Sequence, residues 1–127
     1  MQFYPAAKTS IPDERKYRIR LLGVNGDHPT EQLGQGVAVT RTGEGAYTIT
    51  FAENPGTFVG WSCSFGAATP GDLKGYTAVR DTFTAQSGTT LAFLDFVVYD
   101  SSFTAADLIA NQYADITVEF STNTDPD

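Results

Sequence analysis

The sequence predicts an all-β fold: an antiparallel β-sandwich or jelly-roll-like barrel of about seven strands, with one short helix and an extended N-terminal arm. Apolar and polar residues alternate with period two along most of the chain, and glycine- and proline-bearing turns separate the alternating runs. The 127 residues are 41% hydrophobic, which is enough for a single core. The predicted organisation is an arm at 1–16, a sandwich domain at 17–121 and a polar tail at 122–127.

The N-terminal arm is predicted because Pro5 and Pro12 interrupt regular structure and little in this stretch can be buried. The first strand is predicted at residues 17–24, where apolar residues alternate with arginines. A long polar loop is expected to follow at residues 25–35.

Residues 36–51, with the sequence GVAVTRTGEGAYTITF, contain the clearest hairpin. Val37 and Val39 alternate with Ala and Thr before the polar turn Thr-Gly-Glu-Gly. Tyr47 and Ile49 alternate with threonines after it. Alternation on both sides of a short turn predicts two antiparallel strands with one buried face.

Four further strands are predicted at residues 57–65, 76–86, 89–99 and 113–121. The turn motifs Asn-Pro-Gly, Pro-Gly and Ser-Gly separate them, because proline presets one turn position and glycine accepts a positive φ at the next. In the strand at 57–65, simple alternation assigns Trp61 to one face and Phe58 to the other.

A short helix is predicted at residues 102–111. Thr104 can cap it, Asp107 then occupies the third helical position, and Phe103 with Leu108 matches a hydrophobic staple.

The strand at 89–99 is apolar on both faces, which is typical of a strand that is covered on both sides. A two-sheet sandwich covers only one face, so a loop, a helix or another subunit is expected on the other. We therefore predict a subunit interface on the outward face that carries Leu94, Phe96 and Val98, together with the face of Phe58.

The net charge of −7 is divided unevenly along the chain. Residues 1–20 carry 5 − 2 = +3, and residues 21–127 carry 3 − 13 = −10. An acidic body with no basic stripe argues against nucleic-acid binding, because it repels phosphate. The basic leader is either a solvated tail or a segment that docks on an acidic neighbour. The predicted docking residues are Phe3, Tyr4, Lys8, Arg15 and Lys16.

Catalytic and metal-binding patterns are not found in the sequence. Cys63 is the single cysteine and alternates with apolar residues, which indicates an inert core thiol. His28 is the single histidine and lies in a polar loop, where solvation is the ordinary outcome. The sequence thus predicts no enzyme, no cofactor and no metal.

Membrane and export signals are likewise not found. No apolar run approaches the roughly 18 residues of a membrane span. The first residues have no apolar signal-peptide core, so folding in the cytoplasm is expected. The candidate residues for a sugar-binding platform are Trp61, Tyr47 and Tyr76, but the face shared by Trp61 and Cys63 favours a core position for Trp61.

Three segments resemble small virion proteins of tailed bacteriophages. They are the run GVAVTRTGEGAYTITF, the strand TTLAFLDFVVYD and the closing DLIANQYADITVEFSTN. Within residues 34–121 the resemblance is carried by Gly36, Val37, Val39, Thr40, Arg41, Thr42, Gly43, Gly45, Tyr47, Thr48, Asp107, Leu108, Asn111, Ile116 and Val118. This chain has Glu119 in its last strand, where that group tends to carry arginine.

The resemblance implies a head decoration (cement) protein, often trimeric, with a jelly roll similar to that of the tumour-necrosis-factor kind. We therefore expect a non-enzymatic virion structural protein, made in the host cytoplasm. Its partners would be its own copies, as a homotrimer, and the major capsid protein. The alternative is a carbohydrate- or receptor-binding module of a phage fibre.

Overall fold

The fold is a sandwich of two antiparallel sheets, which confirms the all-β prediction. The computed structural model describes residues 14–23, 30–68, 75–109 and 111–122. Its eight strands are β1 (Glu14–Leu22), β2 (Thr30–Leu33), β3 (Val37–Gly43), β4 (Ala46–Phe51), β5 (Thr57–Ala67), β6 (Thr77–Arg80), β7 (Phe93–Tyr99) and β8 (Gln112–Ser121).

Each sheet contains four strands. Sheet A has the order β2-β1-β8-β5, and sheet B has the order β3-β4-β7-β6. β1 pairs with β8 from Glu14 opposite Ser121 to Leu22 opposite Tyr113, so the two ends of the domain close on each other. The predicted hairpin at 36–51 is present as β3 and β4, with Val39 opposite Ile49.

The core lies between the sheets and is built from the alternating apolar residues of both. Aromatic rings form its centre: Phe51 and Phe120 meet edge to face at 5.2 Å, and Trp61 lies 5.4 Å from Phe96. Such contacts stabilise a core beyond the area they bury. The fully buried apolar residues are Ile19, Leu21, Tyr47, Ile49, Phe51, Ala92, Leu94, Phe96, Val98, Leu108, Ala114, Ile116, Val118 and Phe120.

The prediction that Leu94, Phe96 and Val98 form a subunit interface is wrong. Each is at most 1% exposed within the single chain, because the face that carries them is the inner face of β7. The outer face of β7 carries Phe93 and Val97 instead. Both faces of this strand are apolar in the sequence, so alternation alone left its orientation open.

Simple alternation also assigns Phe58 to the wrong face of its strand. A β-bulge between Phe58 and Gly60 leaves Val59 60% exposed. The extra residue shifts the alternation, so Phe58 and Trp61 both point to the core side. Phe58 stacks on Phe83 at 5.7 Å between ring centroids and is only partly exposed.

The predicted helix at 102–111 does not form in the described residues 101–109, which make turns and an isolated bridge from Ala105 to Tyr99. Phe103 has a φ of 59°, outside the helical region. The Asp100 carboxylate accepts hydrogen bonds from the amides of Ser102 and Thr104. This local turn competes with a helix for the same backbone groups.

Several strand boundaries differ from the prediction. The strand predicted at 89–99 begins only at Phe93, as β7, and the strand predicted at 57–65 extends to Ala67, as β5. β1 begins at Glu14, three residues earlier than expected, so the last residues of the predicted arm belong to the sheet. β2 lies inside the predicted loop at 25–35. The predicted strand at 76–86 is reduced to β6, after which Thr84 makes an isolated bridge to Phe93 and Phe83 packs on Phe51.

Candidate interaction surface

The outer face of sheet B is the least charged surface of the described sandwich. Register places its residues in rows, with Thr40 beside Thr48 and Thr48 beside Asp95. Asp95 is the single charged residue on this face in the described strands, and it accepts a hydrogen bond from the Thr48 hydroxyl. The sheet B outer face comprises Ala38, Thr40, Ala46, Thr48, Thr50, Thr77, Val79, Phe93, Asp95, Val97 and Tyr99.

A shallow groove of about 620 Å³ lies on this face. Its floor is formed by β4 and β7, and the turn after residue 88 forms one wall. The groove is lined by threonine hydroxyls, two apolar side chains and one carboxylate. The lining residues are Thr48, Thr50, Thr89, Thr90, Leu91, Phe93 and Asp95.

The outer face of sheet A has the opposite character. Arg20 forms a bidentate pair with Asp115 at 2.6 and 3.0 Å and lies 4.5 Å above the Tyr113 ring. The hydrogen bond to Asp115 raises the pKa of Arg20. Lys16 is the cross-strand neighbour of Glu119 on the same face. A partner here would displace water from many charges, a cost that the sheet B outer face avoids.

A second polar cluster surrounds Asp107 at one end of the sandwich. Its carboxylate accepts hydrogen bonds from Arg41, from the Gly45 amide at 2.8 Å and from the Tyr47 hydroxyl at 2.8 Å. Burial alone would raise the pKa of Asp107, but these donors together lower it. Burial also raises the pKa of Tyr47, and its bond to Asp107 adds to this. The cluster thus ties the turn between β3 and β4 to the segment that precedes β8.

The structure describes the single cysteine of the chain but not its single histidine. Burial, and to a lesser extent the charge of Asp115, raises the pKa of Cys63 to about 12, so its thiol stays protonated and inert. His28 lies outside the described residues. In the described part of the chain, no three side chains of His, Cys, Asp or Glu gather as metal ligands.

The three aromatic residues of the candidate sugar-binding platform pack against other residues of the chain instead. Tyr47 is buried, and Trp61 packs on Phe96. Tyr76 contacts Phe65 at 5.5 Å and donates a hydrogen bond to the buried Gln112 at 2.9 Å.

Two of the five predicted docking residues lie in a described strand, and the other three lie outside the described residues. Arg15 and Lys16 are part of β1, where Arg15 donates a hydrogen bond to the Asn54 carbonyl at 3.2 Å. Phe3, Tyr4 and Lys8 lie outside the described residues.

Alternation in the sequence predicted the strands β3 and β4. It did not predict that the outer face of their sheet is the candidate interaction surface. The sequence signal that could have found this surface is the set of threonines that alternate with the buried residues along β4.

Comparisons with protein-family models, curated proteins and solved structures found no match to this chain. Within the described residues there is no helix with the length and hydrophobicity to cross a membrane.

Proposed function

We propose that the chain is a non-enzymatic structural protein of a phage virion, a capsid decoration subunit that associates with its own copies through the sheet B outer face. The observation that carries the proposal is the contrast between this nearly uncharged face and the ion-paired outer face of sheet A. Depletion of charge distinguishes the centre of a protein interface from ordinary surface.

The resemblance in residues 34–121 supports the virion role. The nested pairing of β1 with β8 and of β4 with β7 supports a reduced jelly roll, since it places the first and the last described strands side by side. The shell-binding residues remain Phe3, Tyr4, Lys8, Arg15 and Lys16 in this proposal. We propose a homotrimer that binds the major capsid protein.

Two matched variants test the association. Thr50 and Thr117 both lie on central strands, point outward and are half-buried, but they belong to opposite faces of the sandwich. Thr50→Lys places an unpaired charge in the sheet B outer face and is expected to break this contact, so that the mass measured by light scattering falls below that of the wild-type chain. Thr117→Lys is expected to keep the oligomer.

The outcome that would contradict this proposal is a wild-type chain that remains monomeric across a concentration series. A Thr117→Lys variant that dissociates as readily as Thr50→Lys would also contradict it, because the effect would then not be specific to one face. Shell binding is tested separately, by co-sedimentation of the chain with phage heads that lack it.

The groove favours a second candidate function, carbohydrate binding by a fibre module. Threonine hydroxyls and the Asp95 carboxylate can hydrogen-bond sugar hydroxyls, and the partly exposed Phe93 can support an apolar sugar face. Saturable binding on a glycan array that is lost in Asp95→Asn would favour this function over self-association.

A further inference from the structure

β5 is the longest edge strand of the sandwich. It has eleven residues and stands last in sheet A, with β8 on one side. In the part of the chain that the structure describes, no strand pairs with its other side. A free edge presents unpaired backbone amides and carbonyls to any extended segment that approaches it.

The four edge strands differ in how they are protected. Charged residues are the usual protection against pairing with another chain. β2 contains Glu31, β3 contains Arg41 and β6 contains Arg80, whereas β5 contains no charged residue and no proline. The longest edge is therefore the one without this protection.

The β-bulge at Phe58 and Gly60 limits the regular part of β5 to residues 61–67, which pair with residues 118–112 of β8 without a register shift. The midpoint of this stretch is Ser64. If two copies pair antiparallel about a two-fold axis, the longest regular ladder is centred there.

This register also matches side chains by size. Trp61 lies opposite Ala67 of the second copy, Phe65 lies opposite Cys63, and the central serine lies opposite itself. Each bulky core-side residue thus meets a small one, and no like charges face each other. On the outer side, Ser62 lies opposite Gly66.

We propose that the free edge of β5 is a second self-association site, at which two copies pair antiparallel about Ser64 and join their A sheets into one continuous sheet. The site is separate from the sheet B outer face and does not depend on a virion role. Together, the two contacts would link subunits in more than one direction.

Cysteine trapping tests the register, in a Cys63→Ala background that removes the native thiol. In the proposed dimer the two copies of Ser64→Cys face each other with Cα atoms about 4.5–5.5 Å apart, which suits a disulfide. The two copies of Ser62→Cys are offset by four residues, or about 13 Å, which is too far for one. Both sites point outward on the same strand, so the second variant is the matched control.

In a glutathione redox buffer, Ser64→Cys is expected to form a covalent dimer on non-reducing gels, and Ser62→Cys is expected to remain a monomer. Equal cross-linking of the two variants would overturn the proposed register. Absence of cross-linking in a folded Ser64→Cys variant, checked by circular dichroism, would overturn the proposal.

Edge variants separate this contact from the one on sheet B. In a Thr50→Lys background, in which the sheet B contact is already broken, Ser64→Lys is expected to reduce the remaining β5 dimer to a monomer in light scattering, whereas Thr40→Lys, on the edge strand β3, is expected to leave that dimer unchanged. Thr50→Lys added to the chain that carries Cys63→Ala and Ser64→Cys is expected to keep the disulfide. Loss of the disulfide in that combination would show that the edge contact depends on the sheet B outer face, which contradicts two separate sites.

Discussion

At the scale of single residues, the Asp107 carboxylate accepts hydrogen bonds from three different residues. It joins the β3–β4 turn to the segment that precedes β8 through hydrogen bonds to Arg41, the Gly45 amide and Tyr47. Replacing the carboxylate with an amide would leave one oxygen for Gly45 and Tyr47, but it would remove the charge that pairs with Arg41 and place an N–H donor against the guanidinium. Hydrogen bonds to a charged group are worth more than neutral ones, so their loss is costly.

The pH dependence of stability follows from the direction of the Asp107 shift. Its pKa is lower in the folded chain than in the unfolded chain, so ionised Asp107 stabilises the fold above about pH 4. That contribution is lost as the pH falls through the folded-state pKa.

We expect Asp107→Asn to lower the free energy of unfolding by about 2 kcal/mol at neutral pH. The difference from wild type should shrink as the pH is lowered below 4, as measured by urea unfolding at several pH values. Asp115→Asn, which removes a more exposed pair, is the control and should cost less. Parallel pH curves for wild type and Asp107→Asn would contradict the assignment.

At the scale of secondary-structure elements, the turn between β3 and β4 requires glycine at position 45. Gly45 has a φ of 73°, and an added Cβ would lie 2.6 Å from the Ala106 amide nitrogen and 2.8 Å from the Val98 carbonyl oxygen. The turn therefore packs directly against the backbone of β7 and of the segment that follows it.

Gly45→Ala is expected to destabilise the fold by more than about 2 kcal/mol, because the backbone strain adds to the displacement of two backbone segments. Gly88→Ala is the matched control: its φ is 58°, and nothing lies within 4 Å of the added Cβ. The control should cost only about 1 kcal/mol. Thermal unfolding of the two variants measures the difference, and equal losses would refute the packing argument.

At the scale of the whole molecule, the two sheets share one core and differ at their outer faces. Their inner faces form one aromatic core, and their outer faces differ in charge. β7 supplies residues to both faces of sheet B, because Leu94 points into the core and Val97 points outward.

This arrangement predicts different effects for residues on the two faces of β7. Leu94→Ala should lower the free energy of unfolding by about 2–5 kcal/mol, as expected for a large-to-small change in a core. Val97→Ala should change it by less than about 1 kcal/mol and should weaken self-association. Denaturant unfolding and sedimentation equilibrium measure the two effects, and a stable Leu94→Ala variant that fails to associate would reverse the assignment of the faces.

Periodicity in the sequence was sufficient to identify the class of the fold and most of its strands. Alternation is a local property, since successive side chains of a strand point to opposite faces. For β4 it identified the inward residues Tyr47, Ile49 and Phe51 correctly, because the residues between them are polar or small. The acidic body and the single cysteine were also available from the sequence alone.

Tertiary structure decided the features for which local alternation is ambiguous or interrupted. β7 is apolar on both faces, so only the position of the opposite sheet determines that Leu94 is buried. In β5, one extra residue at Val59 reverses the alternation and brings Phe58 to the core side. The partners of Asp107 are 60 or more residues away along the chain, and spacing within a short segment carries no information about contacts at that distance.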